Sequence, residues 1–178
     1  SGYNTTTQAI LRNGQGGDLV YSIFYDSINQ RPYFHWYDGT FKFVSASFNT
    51  APLNKWTHVE IVRSGTNLSF YINGKFDSAS TVTAPTVPAG QLAIGQTNND
   101  AVAQDYNGFL DDLKVYNYAR SVAQIKTDYS SRGSVKGVSA QIGTSDTNKN
   151  LSNGLVGYWK MDESSDAGST LADSSGNG

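Results

Sequence analysis

Fifteen acidic side chains and two histidines are the groups in this chain that could move protons or hold a metal; there is no cysteine. Thiolate nucleophiles, thiolate metal sites and disulfides are therefore excluded. A retaining glycosidase needs two carboxyl groups about 5–5.5 Å apart. On a strand a Glu-x-Asp-x-(x)-Glu pattern would supply them, because alternate residues share a face, but no such pattern occurs. Asp111 and Asp112 are adjacent, which on a strand sends them to opposite faces, and Glu60 stands alone among Thr57, His58 and Arg63. His35 and His58 sit in strand-like runs with no Gly-x-Ser-x-Gly elbow and no zinc spacing. Both read as strand histidines, and catalysis is not expected.

Hard oxygen ligands are better supplied. Calcium takes carboxylates, amide oxygens and backbone carbonyls from a loop. The run Gln96-Thr-Asn-Asn-Asp100, with Asp105 and Asn107 beyond it, offers Asn98, Asp100 and Asp105 as ligands. The competing reading is an ordinary solvated loop, since Asn and Asp favour turns for backbone reasons. Asp162, Glu163, Asp166 and Asp173 form a second acidic set. Sugar binding would instead use aromatic faces, and Tyr33-Phe-His-Trp-Tyr37 is the obvious cluster. Alternation puts Phe34 and Trp36 on one face, expected in the core, and Tyr33, His35 and Tyr37 on the other. That second face is either a ligand surface or cross-strand packing. Trp56 and Trp159 read as core anchors.

Short strands position these groups. The chain has 178 residues, 38% hydrophobic and 16% charged, with 18 Gly, 11 Tyr and 8 Phe against one Met. Such a composition suits an all-β protein with many turns. Strands are expected at 18–25, 33–37, 41–44, 56–63, 67–72, 75–80, 91–95 and 108–116. Asp38-Gly39 and Asn73-Gly74 are hairpin turn pairs. Ser121 with Gln124 three residues on is a capping box, so 121–129 reads as one short helix. Residues 131–153 are rich in Gly, Ser and Thr and read as a linker, with a weak strand at 135–142. A net charge of −2 with no basic stripe gives no pull on nucleic acid. No apolar run is long enough for membrane insertion.

Five motifs in order carry a family likeness: Trp56-Thr-His-Val, Leu68-Ser-Phe-Tyr-Ile-Asn-Gly74, Ile94-Gly95, Gly108-Phe-Leu-Asp-Asp-Leu-Lys-Val-Tyr-Asn117, and Tyr118-Ala-Arg-Ser-Val-Ala-Gln-Ile125. The chain resembles the laminin G-like jelly roll of the concanavalin A-like lectin/glucanase superfamily, in the form repeated in large bacterial surface proteins. Gly154-Leu-Val-Gly-Tyr-Trp-Lys-Met-Asp-Glu163 and Asp173-Ser-Ser-Gly-Asn-Gly178 resemble the opening strand and loop of the same unit. The resemblance implies a jelly-roll β-sandwich of two antiparallel sheets. It divides the chain into a sandwich at 1–130 that lacks its N-terminal strands, the linker at 131–153, and at 154–178 the start of a following repeat or a strand docked into the first. In that fold the first and last strands are neighbours, so 155–161 could pair beside 109–116.

The resemblance further implies a calcium loop after Ile94-Gly95, as in pentraxins, with Asp111 as an added acid. It points to a non-catalytic recognition module, extracellular or at the bacterial cell surface. Its partners would be a glycan or a cell-surface protein, and neighbouring repeats of the same chain. A purely structural spacer repeat is the alternative, and a glucanase-like hydrolase is third. Fold alone does not choose among these.

Overall fold

A computed structural model describes residues 7–14, 19–86, 90–96, 104–131, 153–162 and 171–177. It consists of antiparallel strands and one short helix. The elements are β1 (Thr7–Asn13), β2 (Tyr21–Asp26), β3 (Arg31–Tyr37), β4 (Phe41–Ser45), β5 (Val59–Ser64), β6 (Asn67–Ile72), β7 (Lys75–Thr81), β8 (Leu92–Ile94), β9 (Leu113–Tyr116), α1 (Val122–Ser131) and β10 (Leu155–Trp159). Residues 1–108 form one compact unit and 109–178 another.

In the first unit a five-stranded sheet has the order β4-β3-β2-β1-β8, and a three-stranded sheet the order β5-β6-β7. The two pack face to face through Trp36 and Ala46 from one layer and Leu68, Phe70 and Val82 from the other; Phe34, Val44 and Ile61 complete the contact. Leu68 and Phe70 are fully buried, and each such side chain contributes about 1.5–3 kcal/mol through loss of apolar surface from water. The expected split of β3 holds, with Phe34 and Trp36 facing the sandwich core. β6 and β7 are joined at Asn73 and Gly74, whose φ values of 51° and 71° suit the type I′ turn expected of an Asn-Gly pair.

Some boundaries differ from those expected. β1 lies where no strand is expected from the sequence, because Thr7 and Arg12, both buried, carry polar side chains. A bulge between Ala9 and Leu11 also breaks its alternation: Ala9 lies opposite Phe24 and Leu11 opposite Ile23, which face opposite ways on β2. β5 starts at Val59 rather than at 56, so Trp56 precedes the strand and is 71% exposed. Trp56 is therefore no core anchor. β9 starts at Leu113, not at 108, since Asp112 has a φ of 52° that ends extended geometry. Asp111 and Asp112 are outside the strand, and strand alternation does not govern them.

A second bulge places the most heavily bonded carboxylate of the first unit. Phe70 lies opposite Ser78 while Tyr71 lies opposite Phe76, so Asp77 is the extra residue of β7. Bulges re-aim a side chain, and this one turns Asp77 onto the segment after β4. The buried carboxylate accepts the backbone N–H of Ser47 at 2.7 Å, of Phe48 at 3.2 Å and of Asn49 at 2.5 Å. It also accepts the Asn49 amide at 2.9 Å and the Ser78 hydroxyl at 2.7 Å. Burial pushes its pKa up, but the hydrogen bonds from Ser78, Asn49 and Ser47 outweigh that and hold it below the ordinary value.

In the second unit β10 pairs antiparallel with β9, Leu155 opposite Tyr116 and Trp159 opposite Leu113. A Cβ on Gly157 would stand 2.5 Å from the outer edge of the Trp159 ring, so a larger residue there would require the indole to shift. The outer edge of β10 is covered. Asp173 accepts the N–H of Tyr158 at 2.9 Å, Ser174 donates to the Tyr158 carbonyl at 2.7 Å, and the Asn177 amide donates to Leu155 at 2.7 Å. The helix starts on the expected capping box: Gln124 N–H donates to Ser121 Oγ at 3.3 Å and Ser121 N–H to the Gln124 side chain at 2.9 Å. Arg120 and Asp128 form a buried ion pair, and the guanidinium lies 4.2 Å over the Tyr116 ring. The weak strand expected at 135–142 lies outside the described residues.

Two outcomes follow. Asp77→Ala leaves several buried donors without an acceptor and costs about 2–4 kcal/mol, read as a lower urea midpoint with an unchanged slope; an unchanged midpoint contradicts the role given to the clamp. Deletion of 154–178 strips β9 of its partner, so amide protection at Val115 collapses in hydrogen exchange, whereas retained protection would show that β9 does not depend on β10.

Candidate functional site

β3 carries two chemically distinct faces. On the face away from the sandwich core, His35 lies opposite Ser22 of β2 and Phe43 of β4, and Ser22 lies opposite Arg12 of β1. Arg12, Ser22 and His35 are all buried, and among the described residues the Ser22 hydroxyl has no hydrogen-bond partner. Rings surround this row. Tyr33 stacks on Phe24 at 5.2 Å, His35 on Phe41 at 5.3 Å, and Tyr37 meets Phe41 edge-on at 5.0 Å. Tyr33 also meets Phe43 at 6.5 Å. The three residues expected to bind ligand are thus brought together on one face, but not with equal access. His35 is 5% exposed, while Phe41 and Phe43 on the edge strand are 47% and 66% exposed. Burial lowers the His35 pKa to about 4, and the Arg12 cation adds to the effect.

At the flank of the sandwich, where β4 runs beside the end of β7, Trp36, Asp38, Phe41, Lys42, Phe43, Thr81 and Thr83 line a surface cleft of ≈ 430 Å³. That volume is within the range of about 300–1,000 Å³ usual for small-ligand sites. A relay of hydrogen bonds backs it. The Trp36 indole N–H donates to Thr83 Oγ1 at 3.0 Å, and the Thr83 hydroxyl donates to Asp38 Oδ2. Asp38 Oδ1 accepts the backbone N–H and the hydroxyl of Thr40 at 3.3 and 3.2 Å. The Thr83 bond, then Thr40 and the nearby Lys42 cation, hold the Asp38 carboxyl below its usual pKa against the opposing effect of desolvation. The cleft therefore has a fixed carboxylate and one lysine, while the Phe41 and Phe43 rings turn to the other face of β4, toward His35 and Tyr33.

Sequence reasoning did not single out Phe41, Phe43, Lys42, Thr81 or Thr83. The two phenylalanines had a signal, two residues apart on a strand beside a hairpin turn. Thr83 had none, being 45 residues from the carboxylate it bonds.

Of the four expected calcium ligands, two fall within the described residues and two do not. Asn98 and Asp100 lie outside them. Asp105 is exposed in the first unit, and Asp111 is exposed in the second. Among the described residues no three His, Asp or Glu side chains come together as a metal cage would need. Of the second acidic set, Asp162 is exposed and Asp173 is engaged by Tyr158 and Ser175, while Glu163 and Asp166 lie outside the described residues. His58 precedes β5, its N–H donating to the Asn73 side chain at 3.0 Å.

A family model of laminin G type, described as the concanavalin A-like lectin/glucanases superfamily, matches residues 1–126. The chain belongs to this superfamily. No curated protein sequence matches this laminin G-like chain. Two solved structures share its fold. One is a candidate carbohydrate-binding protein from Bacteroides ovatus, 19% identical with a TM-score of 0.61, the match covering 98% of this chain and 47% of that one. The other is a heptameric SAP-like pentraxin from Limulus polyphemus, 21% identical with a TM-score of 0.52, covering 71% of this chain and 64% of that one. The laminin G-like chain thus spans about half the length of the first and less than two thirds of the second.

The buried histidine sets a pH window for this laminin G-like fold. Its folded pKa of about 4 lies below the ordinary histidine value of 6.5, so between those values the unfolded chain takes up a proton that the folded chain refuses. Stability is unaffected above pH 6.5, falls as pH drops from 6.5 to about 4, and loses at most about 3 kcal/mol there. His35→Gln flattens the thermal midpoint across this window, and an equal slope in variant and wild type would refute the assignment.

Proposed function

We propose that this chain is a non-catalytic carbohydrate-binding module, with the exposed rings of β4 and the cleft beside them as its contact surface. One observation carries the reading: Phe41 and Phe43 are exposed beside a cleft that also holds fixed hydrogen-bonding groups. A sugar ring offers an apolar C–H face to an aromatic side chain and hydroxyls to polar ones, and sites of mixed apolar wall and few polar groups are what bind such ligands. Tyr33 and Tyr37 extend the aromatic surface along β3, and His35 supports it from beneath by stacking on Phe41. The carbohydrate-binding description of the Bacteroides ovatus neighbour supports the same reading. So does the superfamily, which holds lectins.

The non-catalytic part of the proposal rests on the cleft having one carboxylate, Asp38, among its lining residues. Glycoside hydrolysis in its usual form needs two. We place the module in an extracellular bacterial surface protein, where it serves adhesion or glycan capture beside neighbouring repeats.

A glycan array with the full chain, in calcium and again in EDTA, tests the reading. Phe43→Ala weakens retention about tenfold or more with an unchanged thermal midpoint, since the side chain is 66% exposed. Loss in EDTA would assign part of the contact to calcium held by Asn98, Asp100 and Asp105; retention would leave the ring surface as the contact. A chain that retains no glycan in either buffer is a spacer repeat, and the proposal fails.

A further inference from the structure

We infer that the end of the sandwich carrying the β2–β3, β4–β5 and β6–β7 connections docks onto a lipid bilayer surface that bears anionic headgroups. This goes beyond the carbohydrate-binding reading, for none of the residues concerned lines the cleft beside β4. Large apolar side chains are exposed at this end. They are Ile28 in the β2–β3 turn, Phe48, Leu53 and Trp56 in the β4–β5 connection, and Phe76 just past the β6–β7 turn. Each is between 53% and 78% exposed. A single exposed ring is ordinary, but several on neighbouring connections mark a contact surface.

Hydrogen bonds tie the three connections together. The Ala51 N–H donates to the Gln30 carbonyl at 2.7 Å, and the Tyr25 hydroxyl donates to the Ala51 carbonyl at 2.8 Å. These join the β4–β5 connection to the β2–β3 turn. The Asp77 carboxylate, which accepts the N–H groups of Ser47, Phe48 and Asn49, joins the same connection to β7. Near β5 the Asn73 N–H donates to the His58 carbonyl at 2.8 Å, and the His58 N–H donates to the Asn73 side chain at 3.0 Å. The apolar side chains are therefore presented on a backbone already in place, and contact has little chain entropy to overcome.

Charge identifies the partner. Residues 27–30, 47–57 and 73–76 contain Lys55 and Lys75, both exposed, and no Asp or Glu. Two acids lie behind these tips. Asp26 sits opposite Arg31 in the strand register, and its carboxylate accepts the N–H groups of Ile28 and Asn29 and the Asn29 amide. Asp77 is buried. The tips are thus cationic on a chain whose net charge is −2. Projecting rings with lysines between them suit a bilayer interface, where Trp and Phe enter the headgroup region and ammonium groups stay beside phosphates. A folded protein partner would need a matching pocket for each separate tip, whereas a bilayer deforms around them. The contact stays at the interface: among the described residues no helix is long and apolar enough to cross a membrane.

The test sediments the full chain with vesicles of phosphatidylcholine and phosphatidylserine, and with vesicles of phosphatidylcholine alone. Retention is expected on the mixed vesicles, with a blue shift of tryptophan fluorescence. Raised sodium chloride, or Lys55→Gln combined with Lys75→Gln, weakens it about tenfold or more. Trp56→Ala also weakens it about tenfold, whereas Trp56→Phe retains binding and loses the fluorescence shift. Both Trp56 variants keep the thermal midpoint, because the side chain is exposed, and both keep glycan retention, so failure here is distinct from failure of the carbohydrate reading. No retention on either vesicle, equal retention on both, or retention that Trp56→Ala leaves intact overturns the inference. Sedimentation without vesicles examines the rival occupant: self-association that Trp56→Ala abolishes would assign this end to a second copy of the chain and overturn the inference as well.

Discussion

Everything on the first unit hangs on the burial of Phe34 and Trp36 against Leu68 and Phe70. Side chains of a strand alternate with a period of two, so committing one set of β3 residues to the core commits the other set to the opposite face. A one-residue slip in register would bury Tyr33 and Tyr37 in place of Phe34 and Trp36 and expose an indole that now donates to Thr83. The aromatic surface is thus a by-product of a core requirement. Because β4 pairs in register with β3, the same constraint carries Phe41 and Phe43 to the sheet edge.

Polar groups finish what the apolar contact begins. A buried carboxylate is tolerated only when its oxygens are engaged, and Asp77 meets that condition by gathering the backbone of residues 47–49. The bond network ties the segment after β4 to the bulge of β7. At the other end of β4, Thr83 closes onto Asp38 and Trp36. Both ends of the edge strand are consequently linked to β7 or the residues that follow it, so a cleft forms between fixed walls rather than between mobile loops. In the second unit Asp173 plays a related part, occupying the outward backbone N–H of β10 that another strand could otherwise pair with.

The contrast between Arg12 and Lys42 shows how burial sorts two cations of the same sheet. Arg12 is buried, donates to the Gly14 carbonyl at 2.8 Å and helps keep His35 neutral. Its planar fork can be satisfied by fixed acceptors within the protein. Lys42, a compact and hydrated charge, remains at the rim where water or a ligand can meet it.

Strand runs, hairpin turns and the helix cap were legible in the sequence because each is a local rule. Leu68, Phe70 and Ile72 alternate within one segment, Asn73-Gly74 supplies two residues that accept positive φ, and Ser121 and Gln124 bond within a single turn. The family motifs and the two faces of β3 follow from the same short-range patterns. Bulges were not legible, since an inserted residue at Ala9 to Leu11 or at Asp77 is defined by the partner strand. Trp56 shows the same limit, for hydrophobicity says that a ring is costly to expose but not that the strand begins three residues later. The cleft belongs wholly to tertiary structure. Asp38 and Thr83 are distant in the chain, and only the stacking of two sheets brings an edge strand and a strand end close enough to share hydrogen bonds.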